Sequence, residues 1–186
     1  KFALQDWERS ASYTTLVNSD DGTQVGAFDT DLAAPYGLVV TPDFAYLYNE
    51  GRLNTPLLGV TDRCLYGGVF KGKPQASPYD LYLSRDRSLL CVTDRGAGSL
   101  MVLSTKTYRV LGWLSVRSPG SIKMINVAFS EDNERLFVTD NQSSNLTVVR
   151  IGSMDIEKPK IGQGVLGNLI LAPDGKHLYL LTLKPA

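Results

Sequence analysis

Histidine and cysteine are almost missing from this 186-residue chain. His177 is the one histidine. A single imidazole cannot build a histidine metal cluster, and it makes a histidine-dependent triad a poor reading. It also stands just after an Asp-Gly pair, a polar turn position that reads as solvated surface. Cys64 and Cys91 are the only cysteines, too few for a disulfide framework and without metal-ligand spacing. There is no Cys-x-x-Cys-His haem attachment, no Gly-x-Ser-x-Gly elbow and no phosphate-binding glycine loop. The sequence therefore assigns no catalytic residue, no metal ligand and no cofactor.

Surplus charge is missing as well. The 19 basic and 19 acidic residues cancel, and the densest basic stretch is Lys71-Gly72-Lys73. A nucleic-acid partner would require a basic surplus or patch, so none is expected. No apolar run approaches the roughly 18 residues of a membrane helix, so no membrane insertion is expected. A sustained 3.6-residue apolar period is also lacking, which predicts little helix. The chain opens on Lys1 rather than Met, which reads as a processed product and suggests an extracytoplasmic protein, periplasmic or secreted. Hydrophobic content of 43% and charged content of 20% are ordinary for a globular domain.

What is present is a repeat. Tyr36-Gly37-Leu38-Val39-Val40-Thr41-Pro42-Asp43 aligns with Tyr79-Asp80-Leu81-Tyr82-Leu83-Ser84-Arg85-Asp86. Two further copies end on Asp132 and Asp174, so the closing aspartates follow at intervals of 43, 46 and 42 positions. A period in the low forties is that of a four-stranded propeller blade. Each Asp belongs in a turn, and Asp174-Gly175 is the clearest hairpin signal. Four residues on come Leu47, Leu90, Leu136 and Leu178, followed by Tyr48, Cys91, Phe137 and Tyr179. These open the second strands. Their apolar character on both sides fits burial between neighbouring blades. Third strands are expected at residues 14–17, 57–60, 100–103 and 146–149, and fourth strands at 24–28, 64–69 and 110–114.

Asp86-Arg87-Ser88-Leu89-Leu90-Cys91-Val92-Thr93-Asp94, with Met101-Val102-Leu103-Ser104-Thr105-Lys106-Thr107, resembles the YVTN-type β-propeller repeat. So do Leu136-Phe137-Val138-Thr139-Asp140 and Pro173-Asp174-Gly175-Lys176-His177-Leu178-Tyr179-Leu180. The resemblance covers residues from about 12 to 183. Asn49-Glu50-Gly51 depart from it, which predicts a short or bent second strand there. It implies an all-β β-propeller of four-stranded antiparallel blades in a single domain. Full blades would be 34–76, 77–120 and 121–164, with a composite blade from 165–186 plus 1–33 that closes a four-blade ring through both termini. The alternative is a fragment of a larger propeller, because residues 1–6 can themselves pass for a second strand. A fragment would associate with itself or with a partner to cover its end blades.

Propellers host many activities, so function is argued from sites. Loops after second strands share an end with loops entering first strands. This gathers Tyr36, Tyr79, Asp94, Arg95, Asp140 and Asn141, with Glu50 and Arg52, as an expected ligand- or partner-binding surface. The competing reading has Asp94 and Asp140 capping their own turns. Cys91 aligns with core positions. Trp113 reads as packed between blades, and Trp7 as a clamp on the closure or an anchor for a partner. The expected function is a non-enzymatic binding or assembly module that holds a protein partner. The resemblance also extends to scaffold subunits of quinoprotein- or haem-dependent redox enzymes. A metal-dependent hydrolase or lactonase is a further alternative, and would draw on Asp80 and Asn126 near the axis.

Overall fold

The computed structural model describes residues 2–5, 13–29, 37–40, 45–49, 52–57, 60–64, 78–94, 98–107, 109–116, 125–140, 144–162 and 164–183. Every regular element among them is a β-strand, and every registered strand pair is antiparallel. The chain divides into two compact units, Lys1–Asp80 and Leu81–Ala186.

The first unit holds a three-stranded sheet of β1 (Phe2–Gln5), β2 (Tyr13–Val17) and β3 (Gln24–Asp29), in that order. A four-stranded sheet follows: β4 (Gly37–Val40), β5 (Ala45–Asn49), β6 (Arg52–Leu57) and β7 (Val60–Cys64). Two sequence expectations are corrected here. The third and fourth strands come earlier than residues 57–60 and 64–69, because β5 stops at Asn49 and pairs Asn49 directly with Arg52. That short connection advances everything after it. The composite blade is also not what forms. β2 carries β1 on one edge, with Phe2 opposite Val17, and β3 on the other. No edge of β2 is left for a C-terminal strand, and the nearest segment in sequence takes the place because its loop costs least to close.

In the second unit, β8 (Pro78–Leu83, whose first residues belong to the first unit), β9 (Leu89–Asp94), β10 (Ser99–Ser104) and β11 (Val110–Ser115) form one sheet in chain order. The strands β12 (Ile125–Phe129), β13 (Arg135–Asp140), β14 (Thr147–Arg150) and β15 (Asp155–Glu157) form the next. The last sheet has two strands, β16 (Val165–Leu171) and β17 (Leu178–Leu183).

The three sheets are joined by two cores. Side chains alternate across a strand, so β13 feeds both. Leu136 and Val138 point one way, into a cluster with Cys91, Leu100 and Val102 of the preceding sheet and with Val127 and Phe129. Phe137 points the other way, against Leu166, Leu169, Leu178 and Leu180 of the last sheet. Burying each such side chain contributes about 1.5–3 kcal/mol. Cys91 is fully buried, and burial pushes its thiol pKa up, so it is a small core residue as its alignment suggested. Trp113 is half-buried on β11, opposite Met101.

The turn between first and second strands repeats three times. Ser84, Ser130 and Ala172 each donate a backbone N–H to the residue five positions on: Leu89, Arg135 and His177. The residue after each Asp takes a left-handed conformation: Arg87 at φ 61°, Asn133 at 59° and Gly175 at 68°. The repeat aspartates therefore mark one turn geometry, and the sequence interval of 42 to 46 residues is the spacing of that turn.

Candidate functional site

The innermost strands of the second unit's three sheets, β8, β12 and β16, line a cleft of about 610 Å³. Its walls are apolar, with Tyr82, Leu83, Val127, Ala128, Leu169 and Ile170 among the lining residues. One end is closed by the repeated turns. Arg85 Nη1 donates to Glu131 Oε2 at 2.7 Å and to the Pro173 carbonyl at 3.1 Å. Each of these three residues stands directly before a repeat Asp, so equivalent positions of three successive sheets meet. Gly175 is required beneath them. Its φ is left-handed, and a Cβ there would come within 2.9 Å of Glu131 Cβ.

The repeat aspartates are spent on their own turns. Asp86 is partly desolvated, which works against its charge. Bonds from the Ser84 hydroxyl, the Ser88 amide, Asn133 and the Ser88 hydroxyl outweigh that and hold it below the usual carboxylate range. The Ser130 hydroxyl and the Glu134 amide lower the pKa of Asp132. Asp174 is lowered by the Lys176 amide and then by His177, whose Nδ1 lies 2.5 Å from Oδ2. His177 is 72% exposed, as its turn position implied.

Asp94 and Asp140, the acidic pair expected to mark a binding surface, close β9 and β13 at the opposite end from these turns. Asp94 stands in register with Ser99, and Asp140 with Ile125. Asp140 is half-buried and makes interactions of its own. Tyr79 lies on β8, in the first unit. Tyr36, Arg95, Asn141, Glu50 and Trp7 lie outside the described residues. Asn126 shares a face with Thr139, its cross-strand partner. Thr139 Oγ1 donates to the Gly167 carbonyl at 2.5 Å, where a register shift between Leu166 and Leu169 disturbs β16. The Asn126 amide nitrogen is buried without a partner. Among the described residues no three His, Cys, Asp or Glu side chains converge as metal ligands.

The feature that sequence reading missed is the outer face of the last sheet. Ile170 and Tyr179 are cross-strand partners, and Leu181 shares their face. They are 67%, 68% and 59% exposed. Large apolar side chains scattered singly over a surface are ordinary, but three on one strand pair are a patch. Tyr179 aligns in the repeat with Cys91 and Phe137, each covered by the sheet that follows it. The repeat identifies Tyr179 as a position that faces the next sheet; it carries no signal of whether such a sheet is there.

No family model matches the chain, and no curated protein matches it in sequence. Solved structures do. A Bacteroides uniformis protein provisionally named a 6-phosphogluconolactonase matches at a TM-score of 0.68 and 12% identity, over 96% of this chain and 59% of its own. Kuenenia stuttgartiensis hydrazine synthase matches at a TM-score of 0.63 and 19% identity, over 91% of this chain and 51% of its own. The chain thus spans between half and three-fifths of the length of these neighbours. At such identities the likeness concerns fold alone: an all-β chain of propeller type, built from antiparallel four-stranded sheets.

Proposed function

We propose that this chain is a propeller assembly module, which holds a protein partner on the outer face of its last sheet. The observation that carries the reading is the exposure of Ile170, Tyr179 and Leu181 on a face whose counterparts in the two preceding sheets are covered. The partner it fits is another antiparallel sheet, because sheet-on-sheet stacking is what buries the equivalent faces within the unit. Two findings favour a stretch of a larger propeller over a closed four-blade ring. β1 already occupies β2, and the matched structures are longer than this chain. The repeat is proposed to be of YVTN type on the residues quoted above. The end carrying Asp94 and Asp140 is a second proposed contact surface, and Asp94→Ala with Asp140→Ala would weaken partner capture if it is one.

The names of the neighbours raise lactone hydrolysis as an alternative. It needs a carboxylate at liberty in the cleft. Among the described residues that line it, the carboxylate is Glu131, and it is bonded to Arg85. Binding is therefore the better-supported reading.

A second copy of the chain is the partner at hand for a test. Sedimentation velocity from roughly 1 to 100 μM should show self-association of the wild type. The Ile170→Lys/Leu181→Lys variant should stay monomeric with an unchanged melting transition. A wild type that is monomeric throughout, or a variant that associates equally, would overturn the reading.

A further inference from the structure

The core shared by the sheets β8–β11 and β12–β15 is closed at one margin by a methionine laid on bare backbone. Gly112 lies on β11, opposite Val102, at a register shift that passes over Leu111. Met154 lies in the turn that joins β14 to β15 and packs against the same core as Leu114 and Ile151. The two are in close contact: a Cβ on Gly112 would stand 2.6 Å from Met154 Cγ and 2.7 Å from Sδ.

The turn depends on that contact. β15 is exposed at all three positions and adds nothing to the core, which Ile151 and Met154 reach from the turn before it. Met154 also holds a φ of 59°, a left-handed conformation that glycine takes more readily. Its backbone N–H donates to the Arg150 carbonyl at 2.7 Å, and the Ser153 hydroxyl donates to Asp155 Oδ2 at 2.6 Å. The conformation is thus held by the hydrogen bonds of the turn and by the side chain on Gly112.

The contact borders solvent. A groove of about 550 Å³ runs beside it, with Leu89, Leu111, Ile151, Gly152 and Ser153 among its lining residues. Leu111 adjoins Gly112 and Ser153 adjoins Met154, so the groove reaches both partners. Met154 is half-buried, whereas Met101 on β10 is 0% exposed. Thioether oxidation follows exposure, so Met154 oxidises ahead of Met101.

We infer that Met154 is a redox-sensitive clasp between the two sheets: a hydroperoxide converts its thioether to the sulfoxide, and the oxidised side chain leaves Gly112 and opens the groove. In that step the O–O bond of hydrogen peroxide breaks and one oxygen forms the S=O bond. Sulfur loses two electrons. The proton of the transferred oxygen passes to the departing hydroxide, which leaves as water. A dithiol reverses the step, becoming a disulfide as the oxygen leaves in water. The thioether is apolar and lies flat on the Gly112 backbone. The sulfoxide is polar and bulkier, and burying its oxygen in an apolar seam costs free energy. Swinging outward hydrates that oxygen and uncovers Leu114 and Ile151. Neither Gly112 nor Met154 belongs to the last sheet, so the clasp is independent of the assembly reading.

Graded treatment of the chain with hydrogen peroxide, followed by peptide mapping, should find Met154 oxidised before Met101. The melting temperature should then fall by about 2–4 °C. The β11 amides and the Ile151 amide should exchange about tenfold faster. Methionine sulfoxide reductase, supplied with a dithiol, should restore both. Met154→Leu keeps the apolar bulk without the sulfur, and its melting temperature should not respond to peroxide. Met154→Gln, polar at similar length, should show the faster exchange with no peroxide added. Oxidation of Met154 without a change in melting or exchange would overturn the inference. So would a Met154 that oxidises no faster than Met101, an equal response from Met154→Leu, or wild-type exchange in Met154→Gln.

Discussion

The two faces of the sheet β12–β15 differ in what lies opposite. Toward β8–β11 it meets four strands, and Leu136, Val138 and Val149 are sealed. Toward β16–β17 it meets two, and Phe137 and Val148 remain half-covered. Composition differs as well: the first face carries Val127 and Phe129 on β12, the second Asn126 and Ala128. Cover by the opposing sheet and strand composition therefore act together.

Substitutions can break that comparison. The largest effect belongs to Leu136→Ala, which leaves a cavity in the sealed core and should cost about 3–4 kcal/mol. Leu180→Ala, on the incompletely covered side, should cost about half as much, since part of its surface is already wet. Urea denaturation of both variants measures the gap, and equal costs would erase the distinction.

Gly112→Ala should cost about 1–3 kcal/mol. A Cβ there would fall 1.8 Å from Met154 Cε, because Met154 of one sheet seats against the bare backbone of the other. Met154→Ala in the same chain should recover most of the loss, because it removes the obstacle.

Asp86→Ala should cost about 1 kcal/mol once solvent screening is allowed for, by freeing the Ser84 and Ser88 bonds of the turn. The folded-state pKa of Asp86 lies below its ordinary value of 3.8. Its stabilisation is therefore full above that value and is lost as pH falls toward the folded pKa. The variant should show a shallower decline in stability below about pH 4, read from melting temperatures across pH.

The smallest effect is a gain. Arg87 holds a φ of 61° where the last turn uses glycine. Arg87→Gly should raise stability by up to about 0.5 kcal/mol, the left-handed strain being offset in part by glycine's greater chain entropy.

Much of this architecture was legible in the chain. The aspartates marked one turn geometry because the Asp and the left-handed residue after it are local chemistry, and β9, β13 and β17 followed four residues on. The strands after Asn49 were misplaced because a tight Asn49–Arg52 connection leaves no trace in apolar periodicity. The pairing of β1 with β2 was visible only as a competing alternative, since Phe2–Gln5 and Leu178–Leu183 have similar compositions. The exposed face could not be read at all. Tyr179 and Phe137 occupy the same repeat position, and the presence of a covering sheet is a property of other residues. Of the expected binding surface, Asp94 and Asp140 do close equivalent strands, whereas the meeting of Arg85, Glu131 and Pro173 was hidden in plain register, one position before each Asp.

The most direct test is amide hydrogen exchange of the free chain, with β13 and β17 compared residue by residue. If β17 pairs with β16 alone, β13 amides on both edges will exchange only by global unfolding, while alternate β17 amides exchange far faster. Uniform protection of β17 at the level of β13 would mean that its edge is already paired, and would contradict the account.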